Sequence, residues 1–193
     1  MAYRKISAFL LLLGTTFYAF YYFAVTVKNE MPTEQIQPIV IAPLNGNKDI
    51  IKPLLAMHGN EYKVVNLENI LENDQSNNQA LPCTFVAYYN GKLAGSCSLE
   101  EKCTIDPTLS PWANHLFVEP EFRGKKIAQK LIEAILKKAN ELGYPQIFFW
   151  TDKPDNISIY QHFGGSIVKK RSCNDKEYTI MSGSLDVFTK KSD

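Results

Sequence analysis

The chain has 193 residues and a formal net charge of +1, from 21 basic and 20 acidic residues. Hydrophobic residues are 45% and charged residues 21%, which excludes disorder throughout, a collagen-like repeat and a coiled coil. One α/β domain with a short extension is the expected size, and the near-neutral charge gives no general pull toward nucleic acid, so phosphate binding has to come from a local cluster.

Residues 6–27 form an uncharged run of 22. As a helix it spans about 33 Å, enough to cross a bilayer. A cleaved signal peptide has a shorter apolar core and a small-residue cleavage site. The run is long, ends with weak sites near Ala24 and carries Tyr18, Phe20, Tyr21, Tyr22 and Phe23, so 1–27 reads as a membrane anchor, with a signal peptide as the alternative. Arg4 and Lys5 precede it, which orients the N-terminus toward the cytosol and the domain away from it. A start at Met31 would instead give a soluble cytosolic protein. Residues 28–38, with Pro32 and Pro38, read as a linker.

A first strand is expected near 39–42. Residues 47–58 have helical spacing at Ile50, Ile51, Leu54, Leu55 and Met57, with Pro53 weakening or kinking the pattern. A second short helix is expected over 66–73. CTFVAYY and KLAGSCSLEE flank Asn90-Gly91, a strong hairpin signal. A loop follows over 103–111, then a strand over 114–118. Lys125 to Leu142 predicts an amphipathic helix with Ile127, Leu131, Ile132, Ile135, Leu136 and Ala139 on one stripe. QIFFW (146–150) is a buried-type strand, 155–163 a short helix, and two strands near 166–171 and 177–185 flank CNDK. Residues 186–193 read as a tail. Strands interleaved with helices give a mixed sheet with helices on its faces. The four cysteines, Cys83, Cys97, Cys103 and Cys173, contain no C-x-x-C pair; neither a structural metal nor a disulfide scaffold is expected.

The segment HLFVEPEFRGKKIAQ places a strand end, a tight turn and a helix start in succession. Free N–H groups at a helix N-terminus favour an anion. Gly124 lets a backbone come close, and Arg123, Lys125 and Lys126 add charge. Basic residues there oppose the helix dipole, a cost easier to understand if an anion binds; otherwise the cluster is a solvated basic surface.

At this point the sequence resembles the GNAT superfamily of acetyl-CoA-dependent N-acetyltransferases. Arg123-Gly124-Lys125-Lys126-Ile127-Ala128 resembles the family's R/Q-x-x-G-x-G/A loop, with Lys126 where glycine is usual. VEPEFRG, SPWANHLFV, FFWTDKPDNISIYQHFGG and YTIMSGSL resemble further segments of the family in order, so the resemblance spans about 39–185. It implies an α/β fold with a mixed, mostly antiparallel sheet splayed between strands four and five and helices on both faces. It also implies acetyl-CoA as co-substrate and no metal. The pyrophosphate would rest on Arg123, Gly124, Lys125, Lys126, Ile127 and Ala128, and the pantetheine arm would pair with Leu116, Phe117 and Val118. Tyr160 would protonate the departing thiolate.

The base is less defined. Strand alternation puts Trp112, Asn114 and Leu116 on one face and His115 and Phe117 on the other. By resemblance the first face looks toward the acetyl group, so Asn114 is the candidate to orient a relaying water. His115 suits base work, but alternation turns it away and makes it a structural histidine. Glu100, Glu101 and Asp152 are further candidates, and His162 reads as a surface or packing residue. The expected function is acetyl transfer to an amine of a small molecule, peptide or protein. The alternative is a degenerate domain of this type serving as a membrane-tethered CoA-binding or interaction module. Nucleic-acid binding through KKRSCNDK is not expected.

Overall fold

The computed structural model describes residues 39–59, 67–76, 78–173 and 175–185. The expected anchor and linker (1–38) and the tail (186–193) lie outside the described residues. Among the described residues no helix is long and apolar enough to cross a membrane.

Among the described residues, seven strands and four helices follow one another. β1 is Ile39–Pro43, followed by a 3-10 turn at Lys48–Ile50 that runs into α1, Ile51–Gly59. Pro53 sits in the first turn of α1, where its missing N–H has no helical partner to lose, so the helix is not broken there. α2 is Leu67–Glu72, and β2 (Cys83–Tyr89) and β3 (Lys92–Glu100) form the hairpin around Asn90-Gly91. β4 is Trp112–Val118, α3 is Ile127–Glu141 and β5 is Gln146–Thr151. A 3-10 turn at Pro154–Asn156 leads into α4, Ile157–His162, and β6 (Ser166–Cys173) and β7 (Lys176–Ser184) close the domain.

The strands form one sheet in the order β1-β2-β3-β4-β5-β7-β6. Every neighbouring pair is antiparallel except β4 and β5. That parallel pair is a single bridge, Trp112 to Phe148, reinforced by Phe148 N–H donating to Pro111 O at 2.9 Å. Beyond the bridge, β5 keeps six pairs with β7 while β4 keeps its pairing with β3. The sheet therefore splays between β4 and β5, as the family resemblance implies.

Apolar stripes decide which helix covers which face. Ile127, Leu131, Ile132, Ile135, Leu136 and Ala139 of α3 are all buried against Cys97, Leu99, Ile147, Phe149 and Met181. Each such branched side chain contributes about 2 kcal/mol when removed from water. The opposite face of β2 carries Val86, which packs with Leu54 of α1 and Leu67 and Leu71 of α2. A third cluster, Trp112, Phe148 and Ile180 with Cys103 and Ile105, seals the sheet near the bridge.

Two of the element boundaries that depart from expectation shape the site, each for a local reason. β4 begins two residues early because Trp112 is bridged to β5 and its Nε1 donates to Leu109 O at 2.7 Å. α3 begins at Ile127, two residues late, because Gly124 (φ +79°) and Lys126 (φ +63°) take left-handed conformations that a helix does not allow.

Candidate active site

The splay opens a cavity of about 540 Å³. Leu116, Phe117 and Val118 form its β4 wall, and Tyr160, Ile159 and Asn156 its α4 wall. The turn and first residues of α3 close one end with Phe122, Arg123, Gly124 and the stretch Lys126–Gln129. Beyond Trp112 no residue of β4 is in register with β5 among the described residues, so this edge of β4 borders the cavity. Sequence reasoning placed Arg123, Gly124, Lys126, Ile127, Ala128, Leu116, Phe117, Val118 and Tyr160 at one site, and all nine line this cavity. Lys125 does not; its Nζ stands over the Tyr89 ring, 5.1 Å from the centroid.

The end at α3 has the chemistry of an anion cradle. The helical ladder begins with Lys130 N–H to Lys126 O at 3.2 Å, so the N–H groups of Ile127, Ala128 and Gln129 precede it. No side chain caps this end and no acidic residue lies in the first turn. A Cβ added at Gly124 would meet nothing within 4 Å; the glycine serves its positive φ and leaves the approach open. Arg123, Lys126 and Lys153 bring three cations to the cavity, and no carboxylate lines it among the described residues. Arg123 is also a brace: its Nε donates to Val118 O at 2.9 Å and its guanidinium lies over Phe117. Lys153, Asn156 and Ile159 were not singled out as ligand contacts from sequence. Their signal was spacing, since Asn156 sits one helical turn before Tyr160.

Tyr160 is placed by packing. Its ring stacks on Phe149, with centroids 4.7 Å apart, inside the α3-side core. Asn114 is elsewhere: it is buried, does not line the cavity, and its Oδ1 accepts from Trp150 Nε1 at 2.8 Å. The structure does not bring Asn114 and Tyr160 together.

β4 is not a regular strand, and this corrects the alternation argument. Ser98 pairs with Asn114 and Ser96 with Phe117. One residue, Cys97, separates the serines, whereas two, His115 and Leu116, separate their partners. The extra residue is a β-bulge, and His115 carries it at φ +54°. A bulge shifts the two-residue period by one. Phe117 therefore shares the α1 face with Asn114, and Leu116 and Val118 pack with the α3-side core. The alternation expected from sequence, with Leu116 beside Asn114 and Phe117 opposite, does not hold past the bulge.

The α1 face at this point is a strip of buried polar groups. His58 of α1 is 2% exposed, and its Nε2 lies 2.8 Å from Ser96 Oγ. Its ring also packs against Phe117, with centroids 4.9 Å apart. Burial, and then the neighbouring His115, lower the His58 pKa to about 4, so it is neutral at pH 7. Thr84 and Ser98 hydroxyls meet at 2.9 Å. His115 Nε2 lies 3.1 Å from Glu100 Oε1. The β3–β4 loop is tied to β6 by buried Asp106, which pairs with Lys169 at 2.6 Å and Arg171 at 2.9 Å. Lys169, the Thr108 hydroxyl and Arg171 hold the Asp106 carboxyl well below the usual range, against the opposing effect of burial. No group of metal-ligating side chains occurs among the described residues.

Residues 81–164 match a family model described as an acetyltransferase (GNAT) domain. No curated protein matches the sequence. Among solved structures, Arabidopsis thaliana Naa50 in complex with the bisubstrate analogue CoA-Ac-MVNAL is similar at 18% identity and a TM-score of 0.58, over 76% of this chain and 98% of that one. The ribosomal-protein-S18-alanine N-acetyltransferase from Escherichia coli is similar at 14% identity and 0.58, over 77% and 94%. Spermidine/spermine N-acetyltransferase SpeG from Vibrio cholerae is similar at 17% identity and 0.59, over 81% and 98%. At these identities the likeness is one of fold. The matched segment lies over the bulged strand, the cradle and Tyr160, and it is this segment that is similar to a GNAT acetyltransferase domain.

Proposed function

We propose that the protein is an N-acetyltransferase that moves the acetyl group of acetyl-CoA directly to an amine of a small molecule, peptide or protein. The observation that carries this reading is the cavity itself, which holds the α3 N-terminus, the stretch of β4 that β5 does not pair and the Tyr160 phenol within one volume. The pyrophosphate rests on the N–H groups of Ile127, Ala128 and Gln129, with Arg123, Lys126 and Lys153 supplying charge. Ala128 and Gly124 keep this approach uncluttered. The pantetheine arm lies along Leu116–Val118, and an N–H of β4 polarises the thioester carbonyl. Much of the rate then comes from holding amine and thioester in contact. Tyr160 gives its proton to the departing thiolate. Asn114, through Trp150, positions β5 rather than touching the reacting atoms.

The cysteines support direct transfer. Burial pushes the Cys83 thiol up to about 11, moderated by Lys138 and reinforced by Asp74, and burial also raises Cys97 and Cys103. A thiol kept protonated is a poor nucleophile, which suits a mechanism without a covalent acyl-enzyme. The proposal includes a tether: residues 6–27 anchor the enzyme in a membrane, and a reporter fused to the C-terminus reports the side on which the domain lies.

Calorimetric titration of acetyl-CoA into the full-length protein tests the central claim. Micromolar binding is expected, weakened at least about tenfold in a Lys126→Ala, Lys153→Ala double variant that loses two cations from the cradle. A folded protein that binds neither acetyl-CoA nor CoA would leave a tethered interaction module as the better reading.

A further inference from the structure

We propose that His115 is the general base that takes the proton from the incoming ammonium, and that Glu100 is the positioning residue that holds its imidazole. This rests on the acetyl-transfer reading and adds the acceptor side of the same site.

The first argument is where the cavity leads. Tyr160 and Ala128 line it from the α3 and α4 side, whereas Phe117 belongs to the α1 face. The cavity thus reaches the splay, where Phe117 is the lining residue that it shares with the α1 face. A donor seated on the α3 N-terminus presents its thioester toward the α1 face, and the amine attacks from there. Glu100 pairs in register with Trp112, and His115 immediately precedes the three β4 residues that line the cavity.

The second argument is the pair itself. The Glu100 and His115 side chains are 9% and 14% exposed, and Nε2 and Oε1 are 3.1 Å apart. Glu100 Oε1 is buried and has no other polar partner among the described residues. A carboxylate at Nε2 selects the tautomer with its proton on that nitrogen, which leaves the lone pair on Nδ1. The pair exists because of the bulge, which holds His115 at a φ of +54°. Backbone held in such a region is stored strain of the kind found at functional sites.

The third argument is the surroundings. His58 on α1, Cys97 on the other face of β3 and Cys103 in the β3–β4 loop lie within electrostatic reach of the pair. Burial keeps His58 and both thiols neutral, so Glu100 is the carboxylate that faces the imidazole. Of the other two histidines, His58 is held by Ser96, and His162 packs edge-on against Phe163 on α4.

The step balances. His115 Nδ1 takes one proton from R–NH3+, and the freed nitrogen lone pair forms the C–N bond at the thioester carbonyl. The C–S bond breaks, and Tyr160 protonates the thiolate. The second proton lost by nitrogen as the amide forms returns through solvent to the phenolate, and the imidazolium releases its proton to solvent.

The test is the pH profile of kcat/KM for transfer from acetyl-CoA to spermidine and to a short peptide with a free N-terminal amine, using the full chain. His115→Asn keeps a residue that tolerates the left-handed bulge. It is expected to lower kcat/KM about 100-fold and abolish the acid limb, with acetyl-CoA affinity by calorimetry unchanged. Glu100→Gln leaves the base but loosens its orientation, so kcat is expected to fall about tenfold with KM for acetyl-CoA unchanged. A His115→Asn variant with the parent rate and the parent profile overturns the assignment. So does one whose transfer and acetyl-CoA binding fall together, because the histidine is then only structural. An unaltered chain that binds acetyl-CoA but acetylates neither probe overturns the transfer reading, and this one with it.

Discussion

The two faces of the sheet at β4 are built on opposite plans. On the α3 and α4 side the wall is apolar, and the charged groups come from the chain around one turn, Arg123 to Gln129, joined by Lys153. On the α1 side the groups are polar and buried, and they come from three distant segments: His58, Ser96 to Glu100, and Asn114 with His115. The difference follows from what each side has to recognise. A phosphate is met by backbone N–H groups and cations, which one helix start can supply. A proton transfer needs an imidazole and a carboxylate in register, which only tertiary pairing can bring together.

The most damaging change to either face is expected at the strand that joins them. Gly95 of β3 pairs with Val118, and a Cβ added there would collide with the Phe117 carbonyl. The atom in the way is backbone and has no rotamer to escape into. Gly95→Ala is expected to cost about 4 kcal/mol, read as a lower midpoint in urea, and to remove acetyl-CoA binding with it. A variant that lost stability but kept donor affinity would separate the β4 wall from the cavity.

The α1 face is expected to respond to acid, and the α3 face is not. The His58 pKa is about 4 in the folded protein against 6.5 in the unfolded chain, because burial and then His115 disfavour its charge. The unfolded chain therefore binds the extra proton as pH falls from 6.5 toward 4. Stability is full above 6.5 and drops by up to about 3 kcal/mol across that window, then levels off as the folded state also takes up the proton. His58→Gln keeps a polar partner for Ser96 and removes the titration, so its urea midpoint is expected to fall less over the same window. Equal slopes for the two proteins would place the acid sensitivity elsewhere.

Tyr160→Phe probes the chemistry of the α3 side with the packing left in place, since phenylalanine retains the stack on Phe149. A phenol is a weaker acid than an alkyl thiol, so its assistance to the leaving group is modest. The expected loss is about 30-fold in kcat, close to 2 kcal/mol of barrier, with KM for acetyl-CoA unchanged. A larger rise in KM than fall in kcat would make Tyr160 part of the wall rather than the acid.

The same contrast explains what could be read from the chain alone. The cradle was legible because its glycine, its cations and its helix start are consecutive residues. The order of elements and the splay were legible through apolar periodicity and the family resemblance. The acceptor side was not, because alternation assumes an unbroken period of two, and one extra residue at His115 reverses every inference downstream of it. A clue was present in β3: a glycine inside an otherwise good strand marks a bulge or a close backbone approach, and Gly95 lies beneath the Phe117 carbonyl. The Glu100–His115 pair had no linear signal, since fourteen residues and a loop separate its members.

The smallest expected effect sharpens the comparison most, because it pulls stability and binding in opposite directions within the cradle. Lys126 occupies a left-handed position, φ +63°, that glycine takes without strain. Relief of that strain is worth about 1 kcal/mol, and the greater freedom of glycine in the unfolded chain takes back about half of it. Lys126→Gly is therefore expected to raise stability by about 0.5 kcal/mol. The same change removes one of three cations from the cavity, so the Kd for acetyl-CoA is expected to rise about threefold, by more at low salt than at high. A more stable variant with unchanged affinity would make Lys126 a turn residue whose ammonium stays in water. Tighter binding would mean that the backbone approach matters more than the charge. A less stable variant would show that the lysine stem packs well enough to offset its own backbone strain.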